Sequence, residues 1–247
     1  MDTTTTTTQT NEKPDVRAGV RRWVIKGVTG VLTVALFLFI PAGRLDWAMG
    51  WALVGVWALW QAAVGLILIP RNPELLAERA AGPQKSNKTW DTALMSIAGL
   101  ATMAQYIVAG LDLRFGWTRQ SAEVQIPLAL QVAALAVAAL AYALTTWAMA
   151  ANAFFSKIVR IQDDRGHAVA TGGPYRYVRH PSYVGEIAFS LAAPVILNSL
   201  WAFIPGVLLA LLFVVRTALE DKTLQEELDG YEAYAQQVRY RLLPGVW

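Results

Sequence analysis

The chain has 247 residues, 55% of them hydrophobic and only 16% charged, with a net charge of +3. Soluble domains carry about 25% charged residues, so this composition, with a mean hydropathy of +0.37, excludes an ordinary soluble domain and indicates a membrane protein. The absence of cysteine excludes disulfides, thiolate metal sites, a cysteine nucleophile and S-acylation; two histidines, His167 and His180, without an H-E-x-x-H pattern, give no metal site either.

Residues 1–22, opening with the run Thr3 to Thr8, read as a disordered polar tail. Residues 23–151 read as four transmembrane helices: Trp23 to Pro41, Trp47 to Ile69, Asp91 to Leu111 and Ile126 to Ala151. Each is near the roughly 20 residues that cross a bilayer. Pro70 and Pro73 end the second span, and Asn72 before Pro73 suits a helix cap with proline in the first turn. Residues 152–247 form a third unit. A polar lead-in, 152–183, turns at Gly172, Gly173 and Pro174; Pro181 biases His180 away from helix. Val184 to Leu197 and Trp201 to Leu219 are the last apolar pair, broken at Asn198 and Ser199, and the short first arm allows a hairpin. Residues 220–247 are charged and helical in pattern up to Pro244.

The expected fold is therefore an all-α membrane protein, a multi-pass helical bundle of about six apolar segments with a cytosolic C-terminal cofactor-binding region. With the N-terminus in the cytoplasm, every basic residue except Arg44, Arg114 and Arg119 falls inside. That asymmetry fits the positive-inside rule and places both termini in the cytoplasm, at a bacterial inner membrane or, in a eukaryote, the endoplasmic reticulum. Nothing points to nucleic acid.

Two features carry chemistry. "GPYRYVRHPSYVGE", 173–186, concentrates arginine, histidine and tyrosine beside apolar helices. Such groups also gather at lipid headgroups as anchors, but their ring faces and polar tips suit a flat, charged ligand. Arg216 and Glu220, four residues apart, share one helix face at the inner end of the last span. A helix-end salt bridge at the surface explains them equally well; at membrane depth such residues are costly and functional. Asp163, Asp164 and Arg165 read as a solvated loop, and Glu226 and Glu227 as the wet face of the tail helix.

The core G-x-Y-x-x-x-R-H-P-x-Y-x-G from Gly173 to Gly185, the pair "RTALED" at 216–221 and the trailing "GYEAY" resemble the isoprenylcysteine carboxyl methyltransferase family and the wider group of membrane phospholipid methyltransferases. The resemblance is strong over 152–247 and weaker before it. It implies S-adenosylmethionine as cofactor, held by His167, Val169, Ala170, Tyr175, His180, Pro181, Ser182, Tyr183 and Glu220, with Arg216 facing the acceptor and Arg216 and Glu220 as the catalytic pair. One departure is Arg160, where the family can carry Gln; Gln162 follows two residues later. The implied partners are membrane lipids and a lipophilic or lipid-linked substrate. Carboxyl O-methylation, phospholipid N-methylation, a nicotinamide-dependent membrane reductase and a non-catalytic membrane protein of similar fold remain as alternatives. A carboxylate acceptor needs no base, whereas an amine would need a carboxylate such as Glu220 or Asp221 to take its proton.

Overall fold

The computed structural model describes residues 15–82, 86–122 and 125–247; the threonine run and Lys85 lie outside them. Helix α1 is Val16–Ala42, α2 Ala48–Leu68, α3 Pro73–Ala80, α4 Thr89–Phe115, α5 Trp117–Ala122, α6 Leu128–Ala151, α7 Pro181–Ile196, α8 Phe203–Glu227 and α9 Tyr231–Gln237. Among the described residues there is no strand.

Three boundaries differ from the sequence expectation. Residues 16–22, assigned to the polar tail, open α1 instead, because Asp15 Oδ1 accepts the N–H groups of Arg17 and Ala18 at 3.0 and 3.2 Å and caps the first turn. Pro181, Ser182 and Tyr183, placed in the lead-in, form the first turn of α7, where proline costs no hydrogen bond. The tail is not helical up to Pro244: α8 stops at Glu227, Gly230 (φ +81°) opens α9, and α9 stops at Gln237. The cap at Asn72 is present, its Oδ1 accepting from the Leu75 N–H at 3.2 Å.

Five helices, α1, α2, α4, α6 and α8, are long and apolar enough to cross a membrane; the sixteen-residue α7 is shorter. Ile25, Val28, Leu32, Leu36 and Ile40 recur every three or four residues on α1 and are all exposed. Such a stripe is stable only against lipid, and the chain is an integral membrane protein. The six apolar helices close a ring in the order α1, α2, α6, α7, α8, α4, with α3 packed against α1. Without a hydrophobic force between helices in lipid, close approach by small residues holds such a ring. A Cβ on Gly185 of α7 would lie 2.6 Å from the Ala141 carbonyl of α6, and one on Gly110 of α4 would lie 2.5 Å from that of Leu38 of α1.

The α7–α8 turn sits at the far end of the bundle from the lead-in. Ser199 Oγ donates to Asp112 Oδ2 at 2.5 Å, near the C-terminal end of α4, and Thr118 donates to the same carboxylate. Asn198, held at φ +54°, accepts from the Ile126 N–H at 2.8 Å. The hairpin therefore runs the full height of the helix ring.

Candidate functional site

The lead-in, 152–180, contains two short 3-10 turns and otherwise extended backbone. Irregular backbone at this depth must find its hydrogen bonds within the protein, and a buried carboxylate with its arginine partner supplies two of them. Asp91, wholly buried in the first turn of α4, accepts two bonds from Arg216, 2.7 Å from Nε and 2.9 Å from Nη2, and a third from the Val159 N–H at 2.7 Å. Arg216 Nη2 also donates to the Lys157 carbonyl at 2.8 Å. Arg160, buried, bridges Glu78 of α3 and Asp164 at 2.9 Å each. Gln162 is buried as well, donating to the Phe154 carbonyl at 2.7 Å and accepting from Arg165 at 2.6 Å. Arg165 and Asp164, read as a solvated loop, thus brace this segment.

A second buried carboxylate gathers the C-terminal elements. Asp221 pairs with Arg179 at 2.7 and 2.9 Å, accepts from Arg241 Nε at 2.8 Å and the Tyr231 hydroxyl at 3.0 Å, and lies 3.3 Å from His180 Nε2. The backbone N–H groups of Arg179 and His180 donate to the carbonyls of Tyr240 and Arg241, both at 2.9 Å. Asp221, considered above as a base for an amine acceptor, is fully committed to these bonds and is not on the cavity wall described next.

These two hubs flank a cavity of about 490 Å³. Of the residues singled out from the sequence, His167, Val169, Ala170, Tyr175, His180, Ser182, Tyr183, Arg216 and Glu220 all line it. Pro181 does not; it is buried at the start of α7, and its local role is to set the helix entry. Arg160 is on the wall and Gln162 is not. Tyr183 donates its hydroxyl to Glu220, its ring stacks on His180 at 5.6 Å, and the Arg216 guanidinium lies 5.1 Å over its ring centre. Tyr234 donates to the Tyr175 carbonyl at 2.7 Å. His167 Nδ1 accepts from the Gln162 N–H at 3.3 Å, and burial, then the Arg160 charge, hold its pKa below the usual value, which favours the neutral ring.

The cavity has two characters. One end is walled by tyrosines, histidines and Glu220; the other runs up between α2, α4, α6 and α7 past Trp57, Gln105, Tyr106, Tyr142 and Phe189. The sequence reading gave no role to three wall residues where the ends meet or begin, Glu186, Lys157 and Asn152; Arg79, also on the wall, ends "NPELLAER", 72–79, a stretch for which contact with substrate stood beside the cap at Asn72. A signal was available for Glu186, a lone carboxylate one turn into an apolar helix. The polar end also has the chemistry to hold S-adenosylmethionine: ring faces for a sulfonium cation, a carboxylate at Glu220 and donors at His180 and Ser182.

Comparison with known proteins agrees with the motifs. Residues 132–226 match the family model of the isoprenylcysteine carboxyl methyltransferase (ICMT) family. The core of the chain resembles this family. Its match begins inside α6, upstream of the resemblance visible from 152 on, and stops before Tyr231. Protein-S-isoprenylcysteine O-methyltransferase of Schizosaccharomyces pombe (strain 972 / ATCC 24843) is 34% identical over 93 residues, which is 36% of this chain and 38% of that protein. The matched stretch thus spans well under half the length of this curated relative. The solved structure of the eukaryotic intramembrane Ras methyltransferase ICMT aligns over 91% of this chain and 95% of its own, at 18% identity and a TM-score of 0.43.

Proposed function

We propose that the chain is an S-adenosylmethionine-dependent methyltransferase of the membrane that acts on a lipophilic acceptor. One observation carries this reading: a single cavity joins a tyrosine-, histidine- and carboxylate-lined end to an apolar end among the helices. A water-soluble donor and an oil-soluble acceptor need such a chamber, with their reacting atoms meeting where the two characters change. The distribution of basic residues supports both termini in the cytoplasm, so the donor enters from the cytosol and the acceptor sideways from the bilayer.

When bound, the donor supplies an electrophilic methyl group; the protein's task is alignment. Tyr183, stacked on His180 and tied to Glu220, presents a fixed ring face to a cation. His180 and Ser182 offer polar contacts, and Val169, Ala170 and Tyr175 wall the flat part of the ligand. Arg216, held by Asp91 through Nε and Nη2, leaves Nη1 for the acceptor side. Carboxyl methylation of a lipid-linked cysteine, the activity named for the relative, needs only such a cation and no base. Methylation of an amine is a second reading, favoured by the carboxylate of Glu186 on the same wall, which could take the proton an amine must lose.

Purified protein in detergent tests the first step. Calorimetry with S-adenosylhomocysteine is expected to show binding that Tyr183→Ala and Glu220→Ala each weaken by tenfold or more. No binding to the wild type, or stabilisation by a nicotinamide dinucleotide instead, overturns the methyltransferase reading.

A further inference from the structure

The upper end of the cavity is not wholly apolar. On α4 its wall stops at Tyr106 and on α7 at Ser190. Gln105 closes it there: its amide nitrogen donates to the Ser190 carbonyl at 2.7 Å and to the Ala202 carbonyl, just ahead of α8, at 3.4 Å. A Cβ on Gly206 of α8 would stand 2.6 Å from that nitrogen, so the space beside it is full. Ser190 lies seven residues beyond Tyr183, which puts this ceiling about 10 Å of helix rise above the donor end. At the junction below, Arg79 and Glu186 act on each other as opposite charges; the ceiling has no such balance.

Several polar side chains at this height are answered by the protein. Trp60 Nε1 donates to Thr146 at 3.1 Å, Thr102 to the Ala98 carbonyl at 2.8 Å and Ser190 Oγ to the Ile187 carbonyl at 2.8 Å. Three oxygens are not: Gln105 Oε1 and the hydroxyls of Tyr106 and Tyr142 make no hydrogen bond among the described residues. Their side chains are nevertheless more than nine-tenths buried, at 1%, 3% and 6% exposed. Among the described residues no side-chain oxygen is both sealed inside the protein and without a partner, so these three open onto the cavity that their residues line. The Gln105 amide cannot turn round, since both of its carbonyl partners require the nitrogen. Tyr142 is clamped between the rings of Trp60 and Phe189, with centroids 4.4 and 4.6 Å away, and lies within electrostatic reach of Tyr106. Two fixed hydroxyls and one fixed amide oxygen thus open on the same end of the chamber.

A polar group in an apolar interior is costly unless something bonds to it. A plain hydrocarbon tail driven up to this ceiling would strip the three oxygens of water and give nothing back. A site built to bond an oxygen discriminates strongly against an analogue that lacks it. A hydroxyl answers all three groups, accepting from the tyrosines and donating to Gln105 Oε1; a carbonyl leaves the glutamine oxygen unmet. Resting on the methyltransferase reading, we infer that the acceptor is a compact amphiphile whose apolar chain ends in a hydroxyl, held by Tyr106, Tyr142 and Gln105 about 10 Å above the donor end. These three residues select the acceptor by its far end and take no part in the transfer itself.

The test uses the full chain in detergent, saturated with S-adenosylhomocysteine, and two probes: N-acetyl-S-geranylcysteine and its analogue with a hydroxyl on the terminal carbon of the geranyl chain. Calorimetry gives the ratio of the two affinities within each protein, so a loss of folded material cancels. The wild type is expected to bind the hydroxylated probe about tenfold more tightly or better. Tyr106→Phe and Tyr142→Phe, which remove one oxygen each and keep the ring, should each lower that preference severalfold. The double variant should bring it within about twofold of none, while S-adenosylhomocysteine affinity stays within about twofold of the wild type. Equal or weaker binding of the hydroxylated probe by the wild type, a preference that survives in the double variant, or failure of both probes to bind overturns this inference and leaves the methyltransferase reading intact. Failure of the wild type to bind S-adenosylhomocysteine overturns both. If the double variant does not fold, the wild-type ratio and the single variants decide.

Discussion

At the scale of single residues, the site is organised by two carboxylates, Asp91 and Asp221, whose structural role the sequence did not mark out: Asp221 read as a possible base beside Glu220, and Asp91 as the start of a span. Arg216 and Glu220 were legible because they share a helix face four residues apart. The partner of Arg216 was not, since Asp91 is far away in sequence and reads as the polar start of an apolar helix. Only the fold brings α4 beside α8 and buries both charges. Breaking a buried pair from one side leaves an uncompensated charge and costs about 3–5 kcal/mol, while replacing both members by apolar residues can be nearly neutral. Asp91→Ala should therefore lower thermal stability in detergent markedly, and also free the Val159 N–H. The double variant Asp91→Leu with Arg216→Met should regain much of that stability. Thermal unfolding followed by intrinsic tryptophan fluorescence checks the comparison; equal losses in single and double variants would mean that the pair is not the source of the stability.

At the scale of elements, hydropathy located every long helix, because lipid-facing stripes make a membrane helix apolar almost all round. What it could not place were the boundaries set by caps and by tertiary bonds: Asp15 starting α1 early, α8 stopping at Glu227, and Gly230 opening a separate α9 that ends at Gln237, before Pro244. The α7–α8 pair was legible as a hairpin through Asn198 and Ser199, but its reach was not, since that depends on the bonds to Ile126 and Asp112. Helix contact depends on glycine more than on pattern. At Gly185 a Cβ would also sit 2.6 Å from Thr145 Oγ1, so the space between α6 and α7 is already full. Gly185→Ala is expected to cost about 1–3 kcal/mol, the usual range for overpacking, and to lower the unfolding temperature. Gly99 on α4 has open space where its Cβ would stand, and Gly99→Ala should leave that temperature unchanged. A similar fall in both variants would mean that glycine content, not the α6–α7 contact, matters.

At the scale of the molecule, the ring of helices and the C-terminal clasp meet at the cavity and at a small apolar cluster of Tyr183, Phe213 and Leu242. The ring rests on small-residue contacts in its middle and on Asp112, Thr118 and Ser199 at its far end, and neither involves the tail. The polar end of the cavity is different. Its His180 is held from behind by the tail, through the Arg241 carbonyl on its backbone, while Arg241 donates to the same Asp221 carboxylate that Arg179 and Tyr231 reach. The last residue closes this clasp, for the Trp247 carbonyl accepts from the Arg241 and Leu242 N–H groups and its ring lies 4.9 Å from the Arg241 guanidinium. Removing residues 239–247 takes away three backbone acceptors, the carbonyls of Arg239, Tyr240 and Arg241, and one cation from this clasp, and from the ring only the packing of Leu242 and Trp247 beside Tyr183 and Phe213. The truncated chain should still assemble in detergent, with an unfolding temperature lowered by the loss of the Leu242 and Trp247 packing, while its affinity for S-adenosylhomocysteine falls by tenfold or more. Calorimetry and thermal unfolding on the same preparation separate the two effects. Unchanged affinity would mean that the tail does not shape the polar end, and loss of the folded ring would mean that clasp and ring form one cooperative unit.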